Sequence, residues 1–248
     1  LNRNAIVHLY GDKVPVKDAN GNIIGSEEPD DITNKWFIGH PLDAIWDIRT
    51  LGVYQSKDAE TAKKYGQSPG DFRLEDVNND GKYTNADRQF LGYKEPRYRF
   101  TLRNEFKLFH NFDVSFMAYA LWGHMTDFNQ AKNRGDAFLD RVSSYVFPYW
   151  TPENPNNEWA RLYSSDGSAS YSVYKKRSFI RLDNVSLAYT FPQRLIERAS
   201  IQNLRVYFTV KNAAVYAPDW NYWDPEWDPN VGPGPTPRFY TFGLNVTL

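Results

Sequence analysis

The sequence predicts an all-β chain whose long antiparallel strands cross a membrane as part of a transmembrane β-barrel. Three observations carry this prediction. Apolar and polar residues alternate with a period of two over runs of about ten to thirteen residues, longer than the roughly 5–6 of an average soluble strand and close to the 9–11 that cross a bilayer at a tilt. The connections are unequal, short on one side of the strands and long on the other, as in outer-membrane barrels. The chain is also 17% aromatic and 24% charged at a mean hydropathy of −0.65, the average that a period-two pattern leaves behind.

Taken in order, residues 4–10 read as the end of a strand. Residues 11–40 read as a connection on the short-turn, periplasmic side, in which Asn20-Gly-Asn22 closes a small hairpin. Residues 42–54 form a weaker candidate strand, with Leu42, Ala44, Trp46 and Ile48 on one side. In residues 97–109, Tyr98, Phe100, Leu102, Phe106 and Leu108 share a face that only Asn104 interrupts. Arg97, Arg99, Thr101, Arg103, Glu105 and Lys107 take the other face. A short His110-Asn111 turn leads into Phe112, Val114, Phe116, Ala118, Ala120 and Trp122, completing a hairpin.

Residues 179–191 form a strand whose phase slips. Ile180 and Leu182 share one parity, while Val185, Leu187, Tyr189 and Phe191 share the other, so a β-bulge near Asp183-Asn184 restores one apolar face. Leu204, Val206, Phe208 and Val210 alternate with Arg205, Tyr207, Thr209 and Lys211. Tyr240, Phe242, Leu244, Val246 and Leu248 form an amphipathic strand with the form of an outer-membrane assembly signal. In a barrel the charged parity faces the lumen, because Arg or Lys on the lipid side costs about 2–4 kcal/mol at the midplane. Arg97, Arg99, Arg103, Glu105, Lys107, Arg205 and Lys211 are therefore the expected lumen-facing charges. Residues 125–177 and 217–237 are the long, Pro-, Gly-, Asn- and Trp-rich loops expected outside.

Several classes are excluded. The longest apolar run is about seven residues (Phe116 to Trp122), against roughly 20 for a spanning helix. A net charge of −1 gives no nucleic-acid footprint. The absence of cysteine removes disulfides and thiol chemistry. His8, His40, His110 and His124 lack metal-binding spacing, and Ser172-x-x-Lys175 is an isolated match. The sequons at Asn184 and Asn245 lie inside strands. The chain is expected not to be an enzyme. Because it opens on Leu, it is expected to be a piece of a longer protein.

The sharpest motif spans residues 76–87. Asp76, Asn78, Asp80, Thr84 and Asp87 occupy positions 1, 3, 5, 9 and 12 of an EF-hand-like loop, with Gly81 at position 6 and the Lys82 carbonyl at position 7. It predicts a structural calcium ion stapling an extracellular loop; the alternative is an Asx-rich turn that needs no ion. The loop aromatics Trp150, Trp159, Trp220, Tyr222, Trp223 and Trp227, together with Tyr163, Tyr171 and Tyr174, are interleaved with carboxylates. They are candidates for contact with substrate or partner, or for packing the loops. Lys175-Lys176-Arg177 is a candidate contact for lipopolysaccharide phosphates.

A family resemblance rests on stretches spread along the chain: Leu51-Gly-Val-Tyr-Gln-Ser56; Pro69-Gly-Asp-Phe-Arg73 leading into Asp76-Val-Asn-Asn-Asp-Gly81 and Asp87-Arg88; Trp150-Thr-Pro-Glu-Asn-Pro155. Further on come Ser178-Phe-Ile-Arg-Leu-Asp-Asn184, Leu187-Ala-Tyr189, Leu204-Arg-Val-Tyr207, Asn212, Asp224-Pro-Glu226 and Phe242-Gly-Leu-Asn-Val-Thr247. In order and spacing over residues 36–248 the chain resembles the C-terminal quarter of a SusC/RagA-family TonB-dependent outer-membrane transporter. The resemblance implies a plugged barrel of about 22 strands, of which residues 1–248 hold the last six or seven, with the plug and TonB-engaging segment upstream. It implies a SusD-like surface lipoprotein acting as a lid, uptake of glycans or oligopeptides energised by TonB, and residence in the Gram-negative outer membrane. Two alternatives stay open: a passive porin or adhesin barrel, and a soluble calcium-dependent glycan-binding β-protein.

Overall fold

The structure, a computed structural model, describes residues 3–132, 148–227, 234 and 236–248. In chain order the strands are β1 (Val14–Lys17), β2 (Ile23–Glu27), β3 (Ala44–Ile48), β4 (Thr50–Val53), β5 (Phe72–Leu74) and β6 (Arg88–Tyr93). The longer β7 (Tyr98–Leu108) and β8 (Phe112–Trp122) follow, then the short β9 (Met125–Asp127) and β10 (Tyr174–Lys176). Long strands return in β11 (Phe179–Thr190), β12 (Asn203–Tyr216) and β13 (Phe239–Thr247). The helices α1 (Ala59–Lys64) and α2 (Gln193–Ile196) are a turn or two each, and no helix among the described residues is long and apolar enough to cross a membrane.

The chain divides into two compact units. The first contains Pro96–His124 and Lys176–Leu248 and is built on an open antiparallel sheet of order β13-β12-β11-β8-β7. Its register sorts the side chains by chemistry. Phe100, Leu102 and Phe106 of β7 lie opposite Ala120, Ala118 and Val114 of β8, and Val206, Phe208 and Val210 of β12 lie opposite Leu244, Phe242 and Tyr240 of β13. Arg99, Arg103, Glu105, Lys107, Arg205 and Lys211 fall on the other parity. The apolar face is uncovered: Phe100 is 62% exposed and Phe242 75%. A patch of that extent needs a partner of its own polarity.

The bulge falls where the phase slip places it. Pairing of β11 with both neighbours shifts between Leu182 and Asn184, so Ile180 and Leu182 share the apolar face with Val185, Leu187 and Tyr189. On β12 the same irregularity leaves Asn212 in the left-handed region, φ 54°. The β7–β8 turn is one residue longer than expected, covering Phe109 to Asn111, with Phe109 and His110 at positive φ. Asn111 fixes it to the end of β11: its Nδ2 donates to the Thr190 carbonyl at 2.7 Å, and its own carbonyl accepts from Thr190 N at 2.9 Å.

The second unit comprises Arg3–Glu95 and Met125–Lys175. Here two expectations are corrected. Residues 42–54 are not one strand. They split into β3, paired with β6, and β4, paired with β5. Ile45 and Asp47 are buried as fully as Ala44 and Ile48, which marks an interior strand covered on both faces. Among the described residues the long sheet holds five strands, where six or seven were expected. Residues 4–10 likewise form no strand, only a bridge from Ile6 to Ile38. The hairpin at Asn20-Gly-Asn22 is present as β1–β2, its turn held by Asp18 Oδ1, which accepts from Asn20 N and Asn22 N.

The stretch read as a long outer loop supplies much of this unit's core. Phe128, Ala131, Trp159, Ala160 and Val173 are buried in this unit, as are Ile48, Tyr54, Phe72 and Tyr83. Charged groups inside are paired: Arg161 reaches the buried Asp71 at 2.9 Å, and Lys132 reaches Asp166 at 2.8 Å and the Tyr171 carbonyl at 2.9 Å. Gly70 is required at its site, because at φ +92° a β-carbon would stand 2.5 Å from Trp150.

Candidate functional site

The most organised polar site of the first unit is centred on Arg181. It lies on the charged parity of β11, opposite Tyr119 of β8 and Val215 of β12, and only 1% of it is exposed. Its Nε donates to Glu226 Oε2 at 2.6 Å, its Nη2 to Asp224 Oδ1 at 2.6 Å, and its Nη1 to Asn212 Oδ1. The Tyr119 hydroxyl also donates to Glu226 Oε2, at 2.6 Å. Asn212 then ties the far side of the loop, donating to the Thr236 carbonyl at 2.7 Å and accepting Arg238 Nε on its own carbonyl at 3.0 Å. A buried guanidinium with an acceptor on each of its three nitrogens is a fixed anchor.

The anchor holds the aromatic loop. Trp220 Nε1 donates to the Trp223 carbonyl and Trp223 Nε1 to the Trp227 carbonyl. The Trp220 and Trp223 rings meet edge to face at 5.0 Å and 89°. Arg177 lies over Trp220 at 5.2 Å and donates to the Trp227 carbonyl. Trp220 is buried, while Tyr222, Trp223 and Trp227 are half-buried. Together with Pro218, Asn212 and Arg238, the first three line a groove of about 710 Å³.

The other aromatic candidates are not brought to this site. Trp150 and Trp159 are buried within the second unit, Trp150 donating to Gln55 Oε1 at 2.9 Å and Trp159 packing edge-on against Phe128. Tyr171 is buried there too, under the Lys132 ammonium. Lys175 pairs with Glu158 at 3.7 Å. Since Arg177 is committed to the tryptophan loop, the basic run at residues 175–177 is more than a solvated patch.

The charges expected to face a lumen do share one face. Arg103 pairs with Glu105 at 2.5 Å, while Lys107 and Arg205 approach Asp113 at 4.0 and 3.5 Å. Arg97 stands one residue before β7, its backbone N donating to Trp122 O. These solvent-screened pairs hold little energy, roughly 0–1 kcal/mol each.

In the motif at residues 76–87, Asp76 is the hub. Its carboxylate accepts from Gly81 N at 2.9 Å, the Tyr65 hydroxyl at 3.0 Å and Asp80 N at 3.2 Å. Asn78 Oδ1 accepts from Asp80 N, and Asp80 Oδ1 from Lys82 N. Partial burial pushes the Asp76 carboxyl up, but the Gly81, Tyr65 and Asp80 donors outweigh it and hold the group below its usual range, so it is ionised. Asp87, at position 12, is fully buried and accepts from Val77 N and Thr84 N, closing the loop end to end. Thr84 Oγ1 accepts from Ala86 N. Among the described residues no three His, Asp or Glu side chains converge as a preformed metal site. Asp76, Asn78 and Asp80 thus sit on one tight turn and spend side-chain oxygens on its backbone N–H groups, as Asp87 does on Val77 N and Thr84 N.

Arg181, Asn212 and Tyr119 were not candidate site residues in the sequence reading. The available signal was that Ser178–Asn184, Asn212 and Asp224–Glu226 each carry the family resemblance, and the structure joins all three on one guanidinium.

Comparison with known proteins agrees with that resemblance. The chain is 29% identical over 233 residues to the TonB-dependent receptor P26 of Formosa agariphila, covering 85% of this chain and 23% of the relative. It is 24% identical to the TonB-dependent receptor P3 of the same organism, covering 99% of this chain and 26% of that one. Among solved structures, the RagAB peptide transporter matches with a TM-score of 0.52 and 19% identity, and its open-open state with 0.53 and 18%, each over 23% of the solved chain. No protein-family model matches the chain. The chain spans about a quarter of the length of the curated relatives it matches. It is similar to one part of a SusC/RagA-like TonB-dependent transporter, and its fold is that of RagA-type neighbours.

Proposed function

We propose that the chain is part of the wall of an outer-membrane importer, with the apolar face of the five-stranded sheet turned to lipid and the charged face to the lumen. The single observation that carries this reading is the sorting of apolar and charged side chains onto opposite faces of strands nine to fourteen residues long. The whole protein takes up oligopeptides or glycans, is energised by TonB through an upstream plug, and works with a SusD-like surface lipoprotein over the outer loops. The names of the relatives and the peptide transport of the RagAB neighbours support this. The Arg181-anchored loop, with Trp220, Tyr222 and Trp223, faces the substrate path or the lipoprotein. Lys175-Lys176-Arg177 lies close to lipopolysaccharide. The loop at residues 76–87 holds a structural calcium ion through Asp76, Asn78, Asp80, the Lys82 carbonyl and Thr84, with Asp87 at position 12.

Uptake of labelled oligopeptides and glycans by a deletion strain tests the reading. Active import predicts loss of uptake of one class on deletion, recovery with the intact gene, and collapse when a protonophore removes the energy source. Uptake that persists with the protonophore is that of a passive pore and contradicts the proposal.

A further inference from the structure

A groove in the second unit has a lining unlike the chain as a whole. Its volume is about 940 Å³, and Lys64, Lys82 and Arg88 line it with no Asp or Glu, although acidic residues (30) outnumber basic ones (29) in the sequence. Among the described residues none of these three cations forms an ion pair. Arg88 uses Nη2 on the Ser170 carbonyl at 3.3 Å, while its Nε is buried without a hydrogen-bond partner. The Lys64 ammonium stands 5.2 Å from the Tyr65 ring centre and lies beside Gly81.

The walls suit a charged guest. Gly66, Gly81 and Gly167 line it at φ 68°, 78° and 66°. At Gly81 and Gly167 the space a β-carbon would take is filled by the Lys64 and Gln67 side chains, so these glycines let both groups lie close against the backbone. Next to the groove, the Gln67 amide is 5% exposed and has no partner for either of its polar atoms. Tyr65 and Tyr83, also in the lining, stack at 4.4 Å, and burial keeps the Tyr83 phenol protonated, so it adds no negative charge. Each carboxylate near this lining already has a partner: Asp76 accepts from Gly81 N and the Tyr65 hydroxyl, Asp80 from Lys82 N and Asp87 from Val77 N and Thr84 N, while Asp166 pairs with Lys132.

We propose that this groove binds a tetrahedral oxyanion, a phosphate or sulfate ester carried by a sugar or by a lipid A headgroup. The Arg88 guanidinium presents a fork to two of its oxygens, and Lys64 and Lys82 supply point charges on either side. The site is independent of the aromatic groove and does not rest on which substrate the transporter carries.

The test is calorimetric titration of the whole transporter in detergent with glucose 6-phosphate, glucose 6-sulfate and glucose, and separately with lipid A in mixed micelles. An anionic probe binds and glucose does not, and Lys82→Gln, Lys64→Gln with Lys82→Gln, and Arg88→Gln each weaken binding about tenfold or more. Lys82 is exposed, so Lys82→Gln leaves folding intact and keeps the test valid if Arg88→Gln misfolds. Binding of the sugar esters identifies a soluble source, and binding of lipid A alone a membrane source; either supports the oxyanion site. No binding of any anionic probe at millimolar concentration, or equal binding by wild type and variants, overturns it.

Discussion

Arg181 Nη2 donates to Asp224 Oδ1 at 2.6 Å, across 43 residues of chain, with both side chains at least nine-tenths buried. This pair fixes the tryptophan-rich loop to the charged face of the sheet. Removing one member leaves the other as an unpaired buried charge, a cost of about 3–5 kcal/mol. Arg181→Ala is therefore expected to release residues 217–227 while the sheet persists. Limited proteolysis should cut the variant in this loop under conditions where the wild type is resistant, and Arg181→Lys should fall between them because its single nitrogen cannot span acceptors spread over Nε, Nη1 and Nη2.

Gly243 faces Tyr207 on the polar parity, and a β-carbon there would lie 2.0 Å from the tyrosine ring. Gly243→Val is expected to impair barrel assembly, read as loss of the heat-modifiable folded band on gels. Because the clash is with one ring, Tyr207→Ala in the same chain should restore the band. Failure of that rescue would show that the glycine serves another purpose.

Asp76, already ionised and hydrogen-bonded to its loop, makes the 76–87 segment the place to look for calcium. Calorimetry on the intact transporter is expected to show uptake at or below millimolar calcium, abolished by Asp80→Ala. No uptake at that concentration would leave the segment an Asx turn.

His124 gives a pH dependence. Burial first, then the charges of Arg177 and Arg99, push its imidazole down to about 4 from an ordinary value of 6.5. The folded form thus stays neutral where the unfolded chain takes up a proton. The resulting stability is present above about pH 6.5 and is lost as the pH falls toward 4. NMR titration of the imidazole should give a midpoint near 4, and His124→Gln should flatten the acid limb of a thermal-stability profile.

Legibility in the sequence followed the physics of each element. The strands of the five-stranded sheet could be read because its two faces carry opposite polarities on alternate residues, so even the bulge at Asp183 showed as a change of phase. β3 could not be read this way: it is covered on both faces, and Ala44, Trp46 and Ile48 imitate a period of two by chance. The aromatic loops were visible as composition, but composition does not distinguish Trp150 and Trp159, which fill an interior, from Tyr222 and Trp223, which line a groove. Arg181 was hidden for the same reason that it matters. Its partners lie 31 to 45 residues away, and no local pattern reports a contact of that range.

The central claim is that one face of the sheet meets lipid and the other a lumen. Because the chain contains no cysteine, single cysteines can be introduced along β7 at Phe100, Thr101, Leu102 and Arg103 in the assembled transporter. Each is then spin-labelled for accessibility to oxygen and to a water-soluble nickel reagent. The account predicts strict alternation, with oxygen dominating at residues 100 and 102 and nickel at 101 and 103. Nickel accessibility at all four positions would mean that this sheet does not stand in a membrane.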